Sequence, residues 1–541
     1  MKKLVLFSLL LAGFLSGNAQ LNRPKLVVGI VVDQMRWDYL YRYYDLYSDG
    51  GFKRMINEGF SCNNTLINYL PSYTAVGHSS IFTGSVPAIN GITGNNWIYT
   101  NTGKSTYCTD DDSVQTVGAT DTAGQMSPRN LLSTTITDEL RLATNFEGKV
   151  VGVSLKDRAS ILPAGHNPTG AYWLDDQSGH FITSTYYRKE LPGWVAGFNQ
   201  QGLPGKLMSG QWKPLLPIAA YTQSTKDNES WEGILPGAKA PVFPYDLKAA
   251  YAKDKESLRQ TPFGNTLTLE FAAAAIDGEQ LGQDNTTDFL TINCASTDYS
   301  GHLVGPNAIE IEDVYLRLDK DLSTFFSYLD KKVGKGNYLV FLSADHGGAN
   351  AVGFMQHNKM PTGYTTSLRD GLNNHLQKAF QVGKLVTSFL NEQVHFNRQL
   401  IETSKLDLDA IKKSTLAYLN QQPEIAFVMD ASNPGSAGIP GVIKEMIING
   451  YNKDRSGAIK IIYKSGMMSG HYKTGTTHGS WYAYDTHIPL IFMGWKIPHG
   501  STNKTLHITD IAPTLAALLH IQMPSGCIGD PITAITDKIN E

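Results

Sequence analysis

Five runs along the chain are apolar at almost every position and stop abruptly at polar residues: KLVVGIVVD (25–33), KVVGVSLKDR (149–158), DFLTINCASTD (288–298), NYLVFLSADHGG (337–348) and HIPLIFMGW (487–495). Strict alternation would mark strands wet on one face. Near-continuous, β-branched runs predict strands buried on both faces, the habit of parallel sheets. Between them, apolar residues recur at helical spacing. Ile311, Val314, Tyr315, Leu318, Leu322, Phe325 and Leu329 make one apolar face with charges opposite. TDIAPTLAALLHI (509–521) opens on a capping residue and carries Pro513 in its early turns, where proline is tolerated. Strands alternating with helices predict an α/β fold, a doubly wound three-layer sandwich with a mostly parallel central sheet.

Two stretches break the alternation. Residues about 160–260 are rich in Gly, Pro, Trp and Tyr and predict an irregular insertion. Residues about 385–470 hold their own short strand and helix patterns, such as EIAFVMD and AIKIIYKSG, and predict a small α/β lobe between the fourth and fifth strands. At the start, MKKLVLFSLLLAGFLSGNAQ places two lysines before a short apolar run and small residues after it. That is the pattern of a signal peptide over 1–20, leaving one domain over 21–541 and predicting export, to the periplasm or beyond. No other stretch approaches transmembrane length, so no stable membrane insertion is expected.

Composition narrows the classes. Hydrophobic residues at 41% and charged residues at 18% are globular proportions. A formal net charge of −3 gives no broad basic surface, so no nucleic-acid partner is expected. Cys62, Cys108, Cys294 and Cys527 are even in number, and export permits disulfides; Cys294 sits in a strand run and predicts a buried free thiol. No CxxC or Cys/His metal spacing occurs.

The chemistry lies where the strands end, because parallel sheets bind ligands outside their carboxyl edge. Asp33 ends the first run; Lys156 and Arg158 end the second; Asp298 follows the third, with His302 four residues on; Asp345 and His346 end the fourth. Buried charges of this kind are expensive unless paired or metal-bound. Aspartate and imidazole are zinc ligands, and His478, in the glycine-flanked turn GTTHGSW, completes two sets of three. Thr74, in NYLPSYTAVGHSSIFTG, read locally, is a helix cap.

Together VVDQMRWDYL, PSYTAVGHSSIFTG, STDYSGHLVGP, SADHGG and GTTHGSW resemble the alkaline phosphatase superfamily, most nearly its exported, phosphate-irrepressible alkaline phosphatases with a threonine nucleophile. The resemblance runs from about residue 24 to the C-terminus. It implies two Zn2+ ions, one held by Asp298, His302 and His478, the other by Asp33, Asp345, His346 and Thr74. Two Zn2+ against three carboxylates leaves a net +1, which favours an anionic substrate. It implies hydrolysis of small-molecule phosphate monoesters through a phosphothreonine at Thr74, with Asn95, Lys156 and Arg158 contacting the phosphate. A nucleotide pyrophosphatase/phosphodiesterase of the same superfamily is the alternative enzyme; it shares the ligands, the threonine and the asparagine but needs neither Lys156 nor Arg158. A secreted zinc- or phosphate-binding protein is the alternative outside enzymes. A sulfatase is disfavoured, since no Cys-x-Pro-x-Arg surrounds the nucleophile.

Overall fold

All five apolar runs form strands, and nine further strands complete the two largest sheets. In chain order they are β1 (Leu26–Val32), β2 (Phe60–Cys62), β3 (Thr116–Val117), β4 (Val150–Ser154), β5 (Gly170–Asp175), β6 (His180–Ser184), β7 (Asp288–Cys294), β8 (Tyr338–Ser343), β9 (Val386–Ser388), β10 (Gln393–Phe396), β11 (Ile425–Asp430), β12 (Ile459–Tyr463), β13 (Leu490–Gly494) and β14 (Gly500–Thr502). They come from a computed structural model that describes residues 22–470 and 473–537, so the signal segment predicted over 1–20 lies outside the described residues.

One ten-stranded sheet has the order β14-β2-β13-β8-β1-β7-β4-β5-β6-β3. Its centre, β8-β1-β7-β4-β5, is parallel throughout. Residues of β1, β4, β7 and β8 are buried along their whole length, which is why their sequences read as unbroken apolar runs. The fifth run departs from expectation: β13 lies antiparallel to β8. Continuous apolarity reports burial on two faces and carries no information on direction. Register levels the strand exits. Val32 stands beside Cys294, Val31 beside Ser343, and Asn293 beside Ser154, so the polar residues that follow emerge at one edge.

Six helices matter here: α1 (Thr74–Thr83), α2 (Asp157–Ala164), α3 (Phe263–Glu279), α4 (Ser296–Val304), α5 (Ile309–Leu329) and α6 (Ile511–Leu519). α1 packs on α2 and α6, and α3 packs on α5, supplying the outer layers of the sandwich. α5 keeps the predicted apolar face, but its acidic face is not solvated. Glu310, Glu312, Asp313 and Asp319 are buried. Asp313 accepts from Trp212 Nε1 and Leu215 N, each at 2.6 Å, and Glu312 from Ser224 Oγ at 2.6 Å. The donors come from the glycine- and aromatic-rich stretch expected to be irregular over 160–260. That stretch opens with β5 and β6, which extend the central sheet, before turning irregular.

Residues 368–463 build the small lobe: the helix Leu368–Phe380 packs on an antiparallel four-stranded sheet in the order β9-β10-β12-β11, around an apolar cluster of its own that includes Leu372, Val394, Ile411 and Ile459. All four cysteines are free thiols, Cys294 buried within β7 as expected. Among the described residues no helix is long and apolar enough to cross a membrane.

Candidate active site

Asp33 follows β1 directly and Asp345 and His346 follow β8, so three side chains converge from two adjacent strands. Asp298 lies in the first turn of α4, just past β7; His302, four residues on, falls on the same helix face. His478 arrives from the loop ahead of β13, whose antiparallel course starts it at the edge where β8 ends. Two groups result, Asp298 with His302 and His478, and Asp33 with Asp345 and His346; within each, one ligand atom per residue lies within 4.8 Å of the others.

The histidines are oriented for ligation. Nδ1 of His302 meets the Thr476 carbonyl at 2.8 Å, Nδ1 of His478 the Ser72 carbonyl at 2.8 Å, and Nδ1 of His346 the Gly347 carbonyl at 2.9 Å. A carbonyl only accepts, so each Nδ1 carries the proton and each Nε2 turns to the site. There Nε2 stands 3.2 Å (His302) and 3.8 Å (His478) from Asp298 Oδ1, and His346 Nε2 stands 3.4 Å from Asp345 Oδ2. Asp33 Oδ1 and Asp345 Oδ2 are buried without a hydrogen-bond donor. Acceptors facing acceptors in a buried pocket call for a cation, and an Asp/His donor set fits zinc.

The electrostatics agree. Burial pushes the Asp33 carboxyl up to about 6, with Asp345 adding to it. Burial also opposes charge on Asp298, but Lys156 and His302 outweigh it and hold that carboxyl well below its ordinary range. Burial and then His346 hold His478 well below the ordinary histidine value, so its imidazole is neutral, the form that binds metal. Asp298 overcomes burial at His302 and raises it, so a proton competes with a cation there.

Thr74 is the first helical residue of α1, and Tyr73 occupies the cap position; the threonine is therefore one residue inside the expected cap. Its Oγ1 stands 3.4 Å from His346 Nε2. The approach depends on Gly77, one turn along, where a Cβ would meet the Asp345 carbonyl oxygen at 2.4 Å. Asn95 spends its carbonyl oxygen on the Ala75 amide at 2.9 Å, leaving its NH2 as the end able to donate elsewhere. Lys156 is fully buried, its ammonium 2.8 Å from Asp33 Oδ2 and 2.7 Å from Asp298 Oδ2, one carboxylate of each group. Burial works against that charge, yet Asp298 and Asp33 raise it above the usual lysine range. Arg158 Nη1 donates to Tyr107 Oη at 3.0 Å. Asp157 is bound by Tyr107 and Thr109.

Several contributors were not evident from motifs. Gln34, in left-handed backbone at φ +61°, donates Nε2 to Asp298 Oδ1 at 2.7 Å and its backbone N–H to Asp345 Oδ1 at 3.2 Å, touching both groups. Asn293 Nδ2 donates to Asp33 Oδ2 at 3.2 Å, and His78 Nδ1 to the Thr74 carbonyl at 2.9 Å. Gln34 and His78 lie within the quoted motifs, where no role was assigned to them, and Asn293 was signalled only as a polar residue inside an apolar strand run.

Behind the C-terminal end of α4, Gly233 N–H donates to the Leu303 carbonyl at 2.8 Å, and next to it Glu232 is buried with Oε1 unpartnered. Burial, then Glu310, push the Glu232 carboxyl up to about 9. A carboxyl raised in the folded state favours the protonated form, so its stabilising contribution is lost as pH climbs towards about 9. Glu232→Gln is therefore expected to raise the melting temperature, with a gain that grows steadily from about pH 5 to about pH 9. A gain that does not change with pH would contradict this.

A family model described as type I phosphodiesterase / nucleotide pyrophosphatase matches residues 27–484. The chain is 57% identical to alkaline phosphatase PafA of Elizabethkingia meningoseptica, over 99% of each chain. It is 53% identical to alkaline phosphatase PhoV of Synechococcus elongatus, over 94% of this chain and 92% of that one. The crystal structure of wild-type PafA superposes with a TM-score of 0.94 at 58% identity, covering 96% of this chain and 100% of that one.

Proposed function

We propose a function from one premise: the chain belongs to the type I phosphodiesterase / nucleotide pyrophosphatase family. It is an alkaline phosphatase, a hydrolase of phosphate monoesters. In our reading it is exported, binds two Zn2+, and works through Thr74. The observation that carries this is the set of three Nε2 atoms and two donorless carboxylate oxygens beside the Thr74 hydroxyl.

Asp298, His302 and His478 would hold one ion and Asp33, Asp345 and His346 the other, with Thr74 beside the second group. Bound there, two divalent cations supply Lewis acidity that favours the alkoxide of Thr74 and neutralises charge on the attacking and leaving oxygens. The Thr74 hydroxyl gives up its proton to solvent as its oxygen attacks phosphorus, the bond to the leaving oxygen breaks, and the alcohol departs with a proton from solvent. Water then attacks the phosphothreonine, breaking the Thr74 oxygen–phosphorus bond and releasing inorganic phosphate with the hydroxyl restored. The Asn95 NH2 and the Arg158 guanidinium donate to phosphate oxygens, and Arg158 can grip two at once. Lys156 holds one carboxylate of each group in place and keeps a positive charge at the phosphate end of the site. The cations tilt the enzyme towards monoesters, whose transferring phosphoryl group carries more negative charge than that of a diester.

EDTA is expected to abolish p-nitrophenyl phosphate hydrolysis, and added zinc to restore it. Because metal must displace a proton from Asp33, whose carboxyl burial pushes up to about 6 in the metal-free site, zinc affinity should weaken as pH drops below about 6, with activity following zinc content. Activity that survives EDTA would contradict the site as a whole.

A further inference from the structure

The turn between β9 and β10 reaches from the small lobe to the chain neighbours of Asn95 and Thr74. Asn391 Nδ2 donates to the Asn96 carbonyl at 2.8 Å, one residue past Asn95. Glu392 Oε1 accepts from Tyr73 Oη at 3.0 Å, one residue before Thr74. The Tyr73 ring also meets His478 edge-on, centroids 5.4 Å apart. The turn is itself pinned from below by buried Lys460, whose ammonium donates to the Asn391 carbonyl at 2.7 Å and pairs with Glu392 Oε2 at 3.0 Å.

Its backbone is unusual. Asn391 (φ +58°) and Glu392 (φ +51°) are consecutive non-glycine residues in the left-handed region. Such strain persists only where the surroundings over-determine it, and it gathers at functional sites. Gly94 makes room for the turn, since a Cβ there would stand 2.4 Å from Asn391 Nδ2. Asn391, Glu392, Tyr73 and Phe389 share the wall of a cavity of about 760 Å³ that His478 also lines. None of the six candidate metal ligands comes from the small lobe.

We infer that the Asn391–Glu392 turn is a positioning element for the phosphate end of the site. The Glu392–Tyr73 contact fixes the start of α1 and so the line of attack of Thr74. The Asn391–Asn96 contact fixes Asn95 and so the seat of the phosphate. Neither side chain touches the reacting atoms, so neither is catalytic. The inference rests on the phosphatase function above and adds to it the means by which a lobe without ligands sets the reaction geometry.

The test is steady-state hydrolysis of p-nitrophenyl phosphate by the zinc-loaded full chain, with inorganic phosphate as competitive inhibitor and with zinc content and melting temperature recorded. Tyr73→Phe leaves the Lys460–Glu392 pair intact and is expected to lower kcat by about 10-fold, with phosphate inhibition changed by less than about 2-fold. Glu392→Ala should match it, Glu392→Gln, which keeps an acceptor for Tyr73, should recover to within about 3-fold of wild type, and Tyr73→Phe with Glu392→Ala should lose no more than either alone. Asn391→Gly, which tolerates the backbone and removes the donor, should instead weaken phosphate inhibition and raise KM by about 5-fold. Variants all within about 2-fold of an active wild type, losses that multiply in the double variant, or losses that follow zinc content would overturn the inference alone. A zinc-loaded wild type without turnover would overturn the proposed function and this inference with it.

Discussion

Replacing Thr74 by alanine is expected to lower kcat for phosphate monoesters by about 10⁴-fold or more, because the hydroxyl that stands beside His346 at the second carboxylate–imidazole group is removed. Thr74 is buried, stands 3.4 Å from His346, and begins a helix whose approach is fixed by Gly77. Water could occupy the space left, but it would lack the pre-oriented attack that the start of α1 provides. Zinc content should stay near wild type, since Asp33, Asp345 and His346 remain. Thr74→Ser keeps the nucleophilic oxygen and should retain measurable turnover, with phosphate carried covalently on the serine. Loss of zinc from Thr74→Ala in step with loss of activity would assign the threonine to metal binding alone.

The second large effect concerns Lys156 and Arg158. Arg158→Ala is expected to lower kcat/KM for p-nitrophenyl phosphate by about 10²-fold and for bis-p-nitrophenyl phosphate by less than about 10-fold, because the lost bidentate cation matters more to the more highly charged monoester. Lys156→Ala should show the same bias and one further property. Its ammonium joins Asp33 to Asp298 in a fully buried site, and removing one partner of such a pair costs about 3–5 kcal/mol. Metal-free Lys156→Ala should therefore melt well below metal-free wild type, and zinc, which takes over the charge on both carboxylates, should restore most of the difference. Equal losses on both substrates, with no zinc-dependent recovery, would remove these residues from the phosphate site.

The framework of the site was legible because burial writes itself into composition. Strands covered on both faces must be apolar throughout, so the polar residues at their ends stand out, and Asp33, Asp298, Asp345 and His346 were visible for that reason. Direction was not legible in β13, since antiparallel burial produces the same apolar run. The burial of the acidic face of α5 was not legible because its partners, Trp212, Leu215 and Ser224, lie far away in sequence within a segment that shows no periodicity. The helix start at Thr74 was placed one residue off, since Tyr73 holds the cap position without a side-chain cap bond. Gln34 and the Asn391–Glu392 turn stayed hidden for a deeper reason. Each acts through two long-range contacts and left-handed backbone, and neither leaves a local pattern in the chain.

In the function proposed above, what separates this enzyme from the diesterases of its own family is the positive charge that Lys156 and Arg158 would add at the phosphate. The most direct test is therefore the ratio of kcat/KM for p-nitrophenyl phosphate to that for bis-p-nitrophenyl phosphate, measured on the zinc-loaded full chain at alkaline pH. A preference for the monoester by about 10²-fold or more is predicted from the extra transition-state charge that the cations meet. A preference for the diester would contradict the account.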